Sequence, residues 1–296
     1  MEINEQGSTS VWRASEIDKA TRCMRQLGYS RLGYVPEPDA PPATVKPSYS
    51  WNLIGGLAID DALSAFSKAQ MTGDTTLTGD ALIDFFKSRI GANTDTFSAQ
   101  GDITGEDSPS AIEEDGVPIL RLYERDMAPV IHPVAVQAEA SVQVVKSGCR
   151  PTLGARDEDC LTMVGHIDLI RQAGESRVIS DWKFTKKTAN QMPASTYARG
   201  WAYDLMAGDG SGQTELILLR RGLKTPKIET TSHFVTKAQH TQVIRQVLTV
   251  AEMYRQRYFP LADPTSWVCS PKFCGFWAVC RGHPTGPRPI PGELTF

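Results

Sequence analysis

Gly165-His166-Ile167-Asp168-Leu169-Ile170, followed after a polar turn by Val178-Ile179-Ser180-Asp181-Trp182-Lys183, is the stretch that decides the fold. Both runs read as short β-strands. Successive side chains of a strand point to opposite faces, so Asp181 and Lys183 share one face with Ile179, and Val178, Ser180 and Trp182 share the other. Between the runs lies Arg171-Gln172-Ala173-Gly174-Glu175-Ser176-Arg177, polar and carrying a glycine, which predicts a hairpin. A hairpin brings Asp168 alongside Asp181. Paired carboxylates repel unless a cation sits between them. Hard oxygen ligands suit Mg²⁺ or Mn²⁺, which polarise a phosphate oxygen and lower the pKa of a bound water. The Trp182 carbonyl is a further oxygen ligand in this reading, and Lys183 orients the water or offsets charge developing on phosphorus. The bland alternative is a solvated acid–lysine pair on an exposed strand.

Other residues fall into line with this pair. A helix is expected over 51–70, carrying Gly56-Leu57-Ala58-Ile59-Asp60. A strand over 134–145 carries Gln137-Ala138-Glu139. A helix over 194–207 carries Tyr197, Arg199 and Tyr203. The whole set resembles the PD-(D/E)xK nuclease superfamily, and within it the RecB-like branch. The resemblance implies that Asp168, Asp181, Lys183, Glu139 and Tyr203 are catalytic, and that Asp60, Asp168, Asp181 and Trp182 hold the metal. Asp60 stands where the branch places a histidine; aspartate is also a hard-metal ligand, and the other reading is an exposed helix residue. Arg199 stands where a glutamine is usual; it either contacts a phosphate or sits on the surface.

Six cysteines are spread along the chain: Cys23, Cys149, Cys160, Cys269, Cys274 and Cys280. The first ten residues are polar, without the apolar segment of a secretory signal, and no apolar run is long enough to span a membrane. A cytoplasmic setting, in a bacterial or phage-infected cell, is the expectation, and there clustered cysteines argue for metal over disulfides. Cys269, Cys274 and Cys280 form a three-cysteine tail, and Cys23 supplies a fourth. This split set resembles the iron–sulfur nucleases of the same branch, in which a [4Fe–4S] cluster joins the two ends of the chain. The first gap of the tail is longer here than in that pattern. Zn²⁺ is the rival occupant, with His283 as an alternative ligand; Cys149 and Cys160 are bystanders.

The 296 residues are 41% hydrophobic and 22% charged, enough for one substantial core. Expected is a single α/β nuclease domain: a mixed central β-sheet flanked by helices, as in restriction endonucleases. Residues 11–35 and 260–285 form the iron–sulfur region, 71–116 a helical insertion, and 1–10 and 286–296 flexible tails. A helix is also predicted over 15–27 with Ser15 as N-cap, another around 81–90, strands over 215–220 and 228–235, and a helix over 237–258. Residues 36–42, rich in proline, read as a loop. The net charge of −3 does not advertise a nucleic-acid binder. Lys183, Lys186, Lys187, Arg220, Arg221, Lys224 and Lys227 nonetheless offer a basic path near the site. The function implied is a metal-dependent DNA nuclease, more an exonuclease than an endonuclease, acting on single-stranded or duplex ends. Recombination or CRISPR-adaptation proteins are the partners implied, and the phage setting is favoured. The alternative is a weakly active or inactive DNA-end-binding scaffold on the same fold.

Overall fold

The computed structural model describes residues 11–33, 48–105, 107–145, 160–192, 194–207, 212–270, 274–283 and 286–294. The expected tail at 1–10 and loop at 36–42 lie outside the described residues, as does Cys149. The chain divides into two compact units. The first comprises Met1–Val45, Ser141–Gly165 and Ala238–Phe296; the second comprises Lys46–Ala140 and His166–Lys237.

In chain order the elements begin with β1 (Val11–Arg13), α1 (Ala14–Arg22), α2 (Met24–Leu32) and β2 (Ser48–Ser50). Then come α3 (Trp51–Thr72), α4 (Asp80–Gln100), β3 (Asp102–Thr104), α5 (Pro109–Leu122) and a π-turn at Tyr123–Met127. β4 (His132–Val145), β5 (Cys160–Ala173), β6 (Ser176–Thr185), α6 (Ala194–Ala207), β7 (Gln213–Arg220), β8 (Lys227–Phe234) and α7 (Lys237–Arg255) complete the order.

In the second unit β5 and β6 form the expected hairpin, with Ala173 opposite Ser176 across a two-residue turn. Gly174 has φ 62°, a conformation tight hairpin turns require and glycine adopts without strain. β6 and β7 run parallel, and α6 supplies the crossover such a pair needs. β8 pairs antiparallel with β7, and β4 pairs with β5. The sheet is therefore mixed, with helices packed on it.

α3 starts at Ser50, whose Oγ accepts from Leu53 N, and ends at Gly73 in the left-handed region. Its buried residues Ile54, Ala58, Ile59, Ala62, Leu63 and Phe66 recur at helical spacing. They pack with Leu169, Trp182, Ile217 and Leu219 of the sheet, and with α4 and α5. α6 lies on β6 and β7. Gly200 permits this contact, since a Cβ there would meet Thr214 at 3.3 Å. In the β6–β7 register Asp181 pairs with Leu216 and Lys183 with Leu218. Strand alternation thus places Asp181 and Lys183 on the Thr214 side of the sheet, and Ser180, Trp182 and Phe184 on the α3 side.

α5 was not foreseen as a separate helix in the stretch 71–116. The stretch was expected to be helical, but only the helix around 81–90 was placed within it; Ser108 caps α5 and Pro109 sits in its first turn, where no amide donor is lost. In the first unit β1 pairs parallel with the start of β5. The helix expected over 15–27 is broken: Cys23 has φ −161° and ψ 106°, extended backbone between α1 and α2. α7 buries Val243, Val247, Val250, Ala251 and Tyr254. Trp12 meets Tyr254 edge to face at 5.3 Å, and the Arg31 guanidinium lies 4.1 Å from the Trp12 ring centre.

Candidate active site

The hairpin register pairs Leu169 with Ser180, so Asp168 falls one step further on, beside Asp181. Trp182 N donates to Asp168 Oδ2 at 3.2 Å. Lys183 curls back: its Nζ donates to the Trp182 carbonyl at 2.8 Å, stands 3.9 Å from Asp168 Oδ2, and pairs with Asp181 Oδ2. Three oxygens expected to hold a metal thus surround one ammonium.

Asp60 reaches the same group from α3. Gln137 Nε2 donates to its Oδ1 at 3.2 Å and its Oδ2 at 3.1 Å, and to Ser64 Oγ at 3.0 Å. Burial raises the Asp60 pKa to about 6; Lys183 opposes this, while Asp61 and Asp181 add to it. Asp168 is pushed well above the usual carboxylate range, first by burial and then by the Asp181 charge. Three acids share one ammonium, and the excess negative charge is what a divalent cation offsets. The donor set of carboxylates and a carbonyl fits Mg²⁺ or Mn²⁺. Among the described residues no three acidic, histidine or cysteine side chains already converge at ligand spacing.

Tyr203 of α6 is buried beside this group. Its pKa is raised by burial and by Asp181, Asp168 and Asp60, while Arg199 opposes the rise. The hydroxyl therefore stays protonated. Glu139 is not brought to the carboxylates: its side chain is 88% exposed and stands 3.3 Å from His166 Nε2. Gln137 takes the inward position instead. Its φ of 51° breaks the strand's alternation, so residues 137 and 139 do not present side chains to one place. The signal in the sequence was the pairing of an amide with the acid two residues on, and chemistry favoured the acid.

The basic path is largely neutralised within the second unit. Lys186 and Arg221 pair with Asp107, at 3.2 and 2.6 Å; Arg220 and Lys227 pair with Glu229, at 2.8 and 2.9 Å. Lys187 and Lys224 make no ion pair among the described residues.

The cysteines lie in the first unit. Cys23, Cys269 and Cys274 are half-buried and Cys280 is buried; none is in a disulfide. Cys274 and Cys280 each feel the charges of Cys23 and Cys269, and both thiols are raised chiefly by burial. Cysteine is the ligand type that iron–sulfur clusters and zinc both take, but among the described residues these four thiols do not converge at ligand spacing. No helix of the described residues is long and apolar enough to cross a membrane.

A family model described as the PD-(D/E)XK nuclease superfamily matches residues 12–281. Among solved structures, SSO0001 is similar at 11% identity and TM-score 0.45, over 99% of this chain and 90% of that one. A candidate exonuclease from Eubacterium rectale is similar at 11% identity and TM-score 0.45, over 91% of this chain and 92% of that one. No curated protein matches the sequence.

Proposed function

The chain belongs to the PD-(D/E)XK nuclease superfamily, and from that premise we propose that it is a divalent-metal-dependent DNA exonuclease of the RecB-like branch. The observation that carries the reading is the convergence of Asp168, Asp181 and the Trp182 carbonyl on the Lys183 ammonium. Those oxygens already hold a cation. Asp60, at the same group, is the fourth ligand in this proposal. A bound Mg²⁺ or Mn²⁺ would polarise the scissile phosphate and acidify a water. Lys183, on its flexible stem, sets positive charge where the transition state gains negative charge. The protonated Tyr203 hydroxyl is a donor to a phosphate oxygen, and Arg199 beside it adds a cation.

We propose further that Cys23, Cys269, Cys274 and Cys280 hold a [4Fe–4S] cluster joining the N- and C-terminal segments, with Zn²⁺ as the rival occupant. DNA ends, single-stranded or duplex, are the substrate, in phage recombination or a related processing pathway. One observation favours the scaffold alternative. Asp60 is already engaged by Gln137 and held toward its protonated form.

One preparation tests all of this. The protein is purified without oxygen, its visible spectrum and metal content are recorded, and end-labelled DNA is offered with Mg²⁺ or Mn²⁺. Stepwise release from ends, lost in Asp181→Ala and Lys183→Ala, is the expected result. Cleavage that persists unchanged in both variants would falsify the assigned centre. Tight end binding without cleavage would support the scaffold, and a colourless zinc protein would remove the iron–sulfur cluster.

A further inference from the structure

Residues 286–294, expected as part of a flexible tail, are held by a dense polar network in the first unit. Its hub is Arg25 of α2, whose side chain is 9% exposed. Arg25 Nε donates to Tyr29 Oη at 3.1 Å. Its Nη1 donates to the Phe259 carbonyl at 3.0 Å and to Glu293 Oε1 at 2.5 Å. Its Nη2 donates to the Arg288 carbonyl at 3.2 Å and to Glu293 Oε2 at 2.8 Å. Ile290 N donates to Glu293 Oε2 at 3.1 Å, and Tyr29 Oη to the Arg288 carbonyl at 2.7 Å. Ile290 is 1% exposed and lies over Gly28, where a Cβ would come within 2.5 Å of its Cδ1. A guanidinium bound this completely in a fork to a carboxylate is costly to assemble and costly to break from one side.

The same hub faces the thiols. Tyr29 Oη donates to the Arg288 carbonyl, and both Tyr29 and the Arg25 charge act on the Cys280 thiol, opposing the rise that burial imposes on its pKa. Arg288 N donates to the Val279 carbonyl at 2.9 Å, one residue before Cys280. We propose that residues 286–294 are a strap which, through Arg25 and Tyr29, positions Cys280 as a metal ligand and covers it. Arg25, Tyr29 and Glu293 are positioning residues for the cysteine site. Side chains that support a ligand from behind govern how tightly a metal is kept. This inference rests on the reading that the four cysteines bind metal.

Glu293→Gln is compared with Glu16→Gln. Glu16 pairs with Arg31 at 2.8 Å in the same unit, so its loss reports destabilisation alone. Two rates are read: metal release from the isolated protein to a chelator, and iodoacetamide labelling of Cys280 and Cys23 in the metal-free protein, by peptide mass. Glu293→Gln should speed metal release roughly 10- to 100-fold, the range for outer-shell partners. It should also raise Cys280 labelling relative to Cys23, while Glu16→Gln does neither. Tyr29→Phe removes only the hydroxyl and gives the milder form of both effects should Glu293→Gln fold poorly. Equal acceleration in the Glu16 and Glu293 variants, or none in Glu293→Gln and Tyr29→Phe, overturns the strap. A wild-type protein without metal removes the metal reading, yet strap-dependent protection of Cys280 still decides the positioning.

Discussion

On the α3 side of the sheet, Glu215 of β7 receives Arg171 Nε and Nη2 at 2.9 and 2.8 Å, Ser180 Oγ at 3.0 Å and Ser232 Oγ at 3.4 Å. Four neighbouring strands contribute to one balanced carboxylate. On the other side of β6, Asp168 and Asp181 share the ammonium of Lys183, and Asp60 adds a third acid. Both clusters gather buried acids on one sheet, the second with Asp60 of α3 added. One is charge-neutral and saturated with donors, so it serves as a register lock. The other carries more negative charge than its surroundings offset, which a fold tolerates where the imbalance is used for binding.

The sharpest way to break this contrast is to neutralise one acid on each side. Asp181→Asn should reduce the cleavage rate by at least about 10³-fold, comparable to losing a principal electrostatic group at a reacting centre. Steady-state cleavage of end-labelled DNA reads the loss. Glu215→Gln should leave the rate per folded molecule unchanged. If Glu215→Gln loses activity at full folding, the division between lock and active site is wrong.

Stability should respond in the opposite sense. Glu215→Gln strands the Arg171 charge inside the protein and should cost about 3 kcal/mol, the lower end for breaking one side of a buried pair. Urea unfolding without metal measures it. Asp181→Asn, by relieving repulsion, should not destabilise the metal-free protein. A divalent ion sharpens the difference further. At a hundred times its Kd, Mg²⁺ or Mn²⁺ should stabilise the wild type by about 2.7 kcal/mol by mass action. The increment should persist in Glu215→Gln and vanish in Asp181→Asn.

The acid-rich side also predicts a pH dependence. Burial pushes the Asp60 carboxyl up to about 6 in the folded protein, from an ordinary 3.8, so the folded state binds this proton more tightly than the unfolded state. Its stabilising contribution is complete below about pH 4 and is lost as pH rises through about 6. The metal-free protein should lose on the order of 1–2 kcal/mol across that window, after discounting for partial exposure. Asp60→Asn should flatten that part of the profile, and an unchanged slope would refute the assignment. Metal affinity should rise over the same window, because ligation displaces the proton.

Most of the sheet was legible in the sequence because its signals are local. The hairpin rested on alternation and one glycine, and the 194–207 helix on the resemblance of Tyr197–Tyr203 to the family's tyrosine-bearing helix; both appear where expected. Asp168, Asp181 and Lys183 were legible for the same reason, since pairing geometry follows from the strand period. What escaped depended on tertiary partners. The break at Cys23 lies in a stretch with good helix formers, and its extended backbone has no local signature. Residues 286–294 look like a proline-rich tail until Glu293 is seen on Arg25, 268 positions earlier. The basic path looked continuous because the acids that neutralise it, Asp107 and Glu229, are distant or alternate with it along the chain.

Gln137 gives the smallest and most discriminating test, because alternation alone would not separate it from Glu139. Its amide holds both oxygens of Asp60 and lowers the Asp60 pKa against the larger effect of burial. Gln137→Ala should therefore raise that pKa further and carry the stability loss to higher pH. The hydrogen bonds are part-exposed and neutral in their donor, so the cost should be about 0.5–1.5 kcal/mol, read as a modest weakening of Mn²⁺ binding by calorimetry. Glu139→Gln should not move the Asp60 profile, since that side chain pairs with His166 in solvent. If Glu139→Gln shifts it and Gln137→Ala does not, then the inward position belongs to the acid the sequence first suggested.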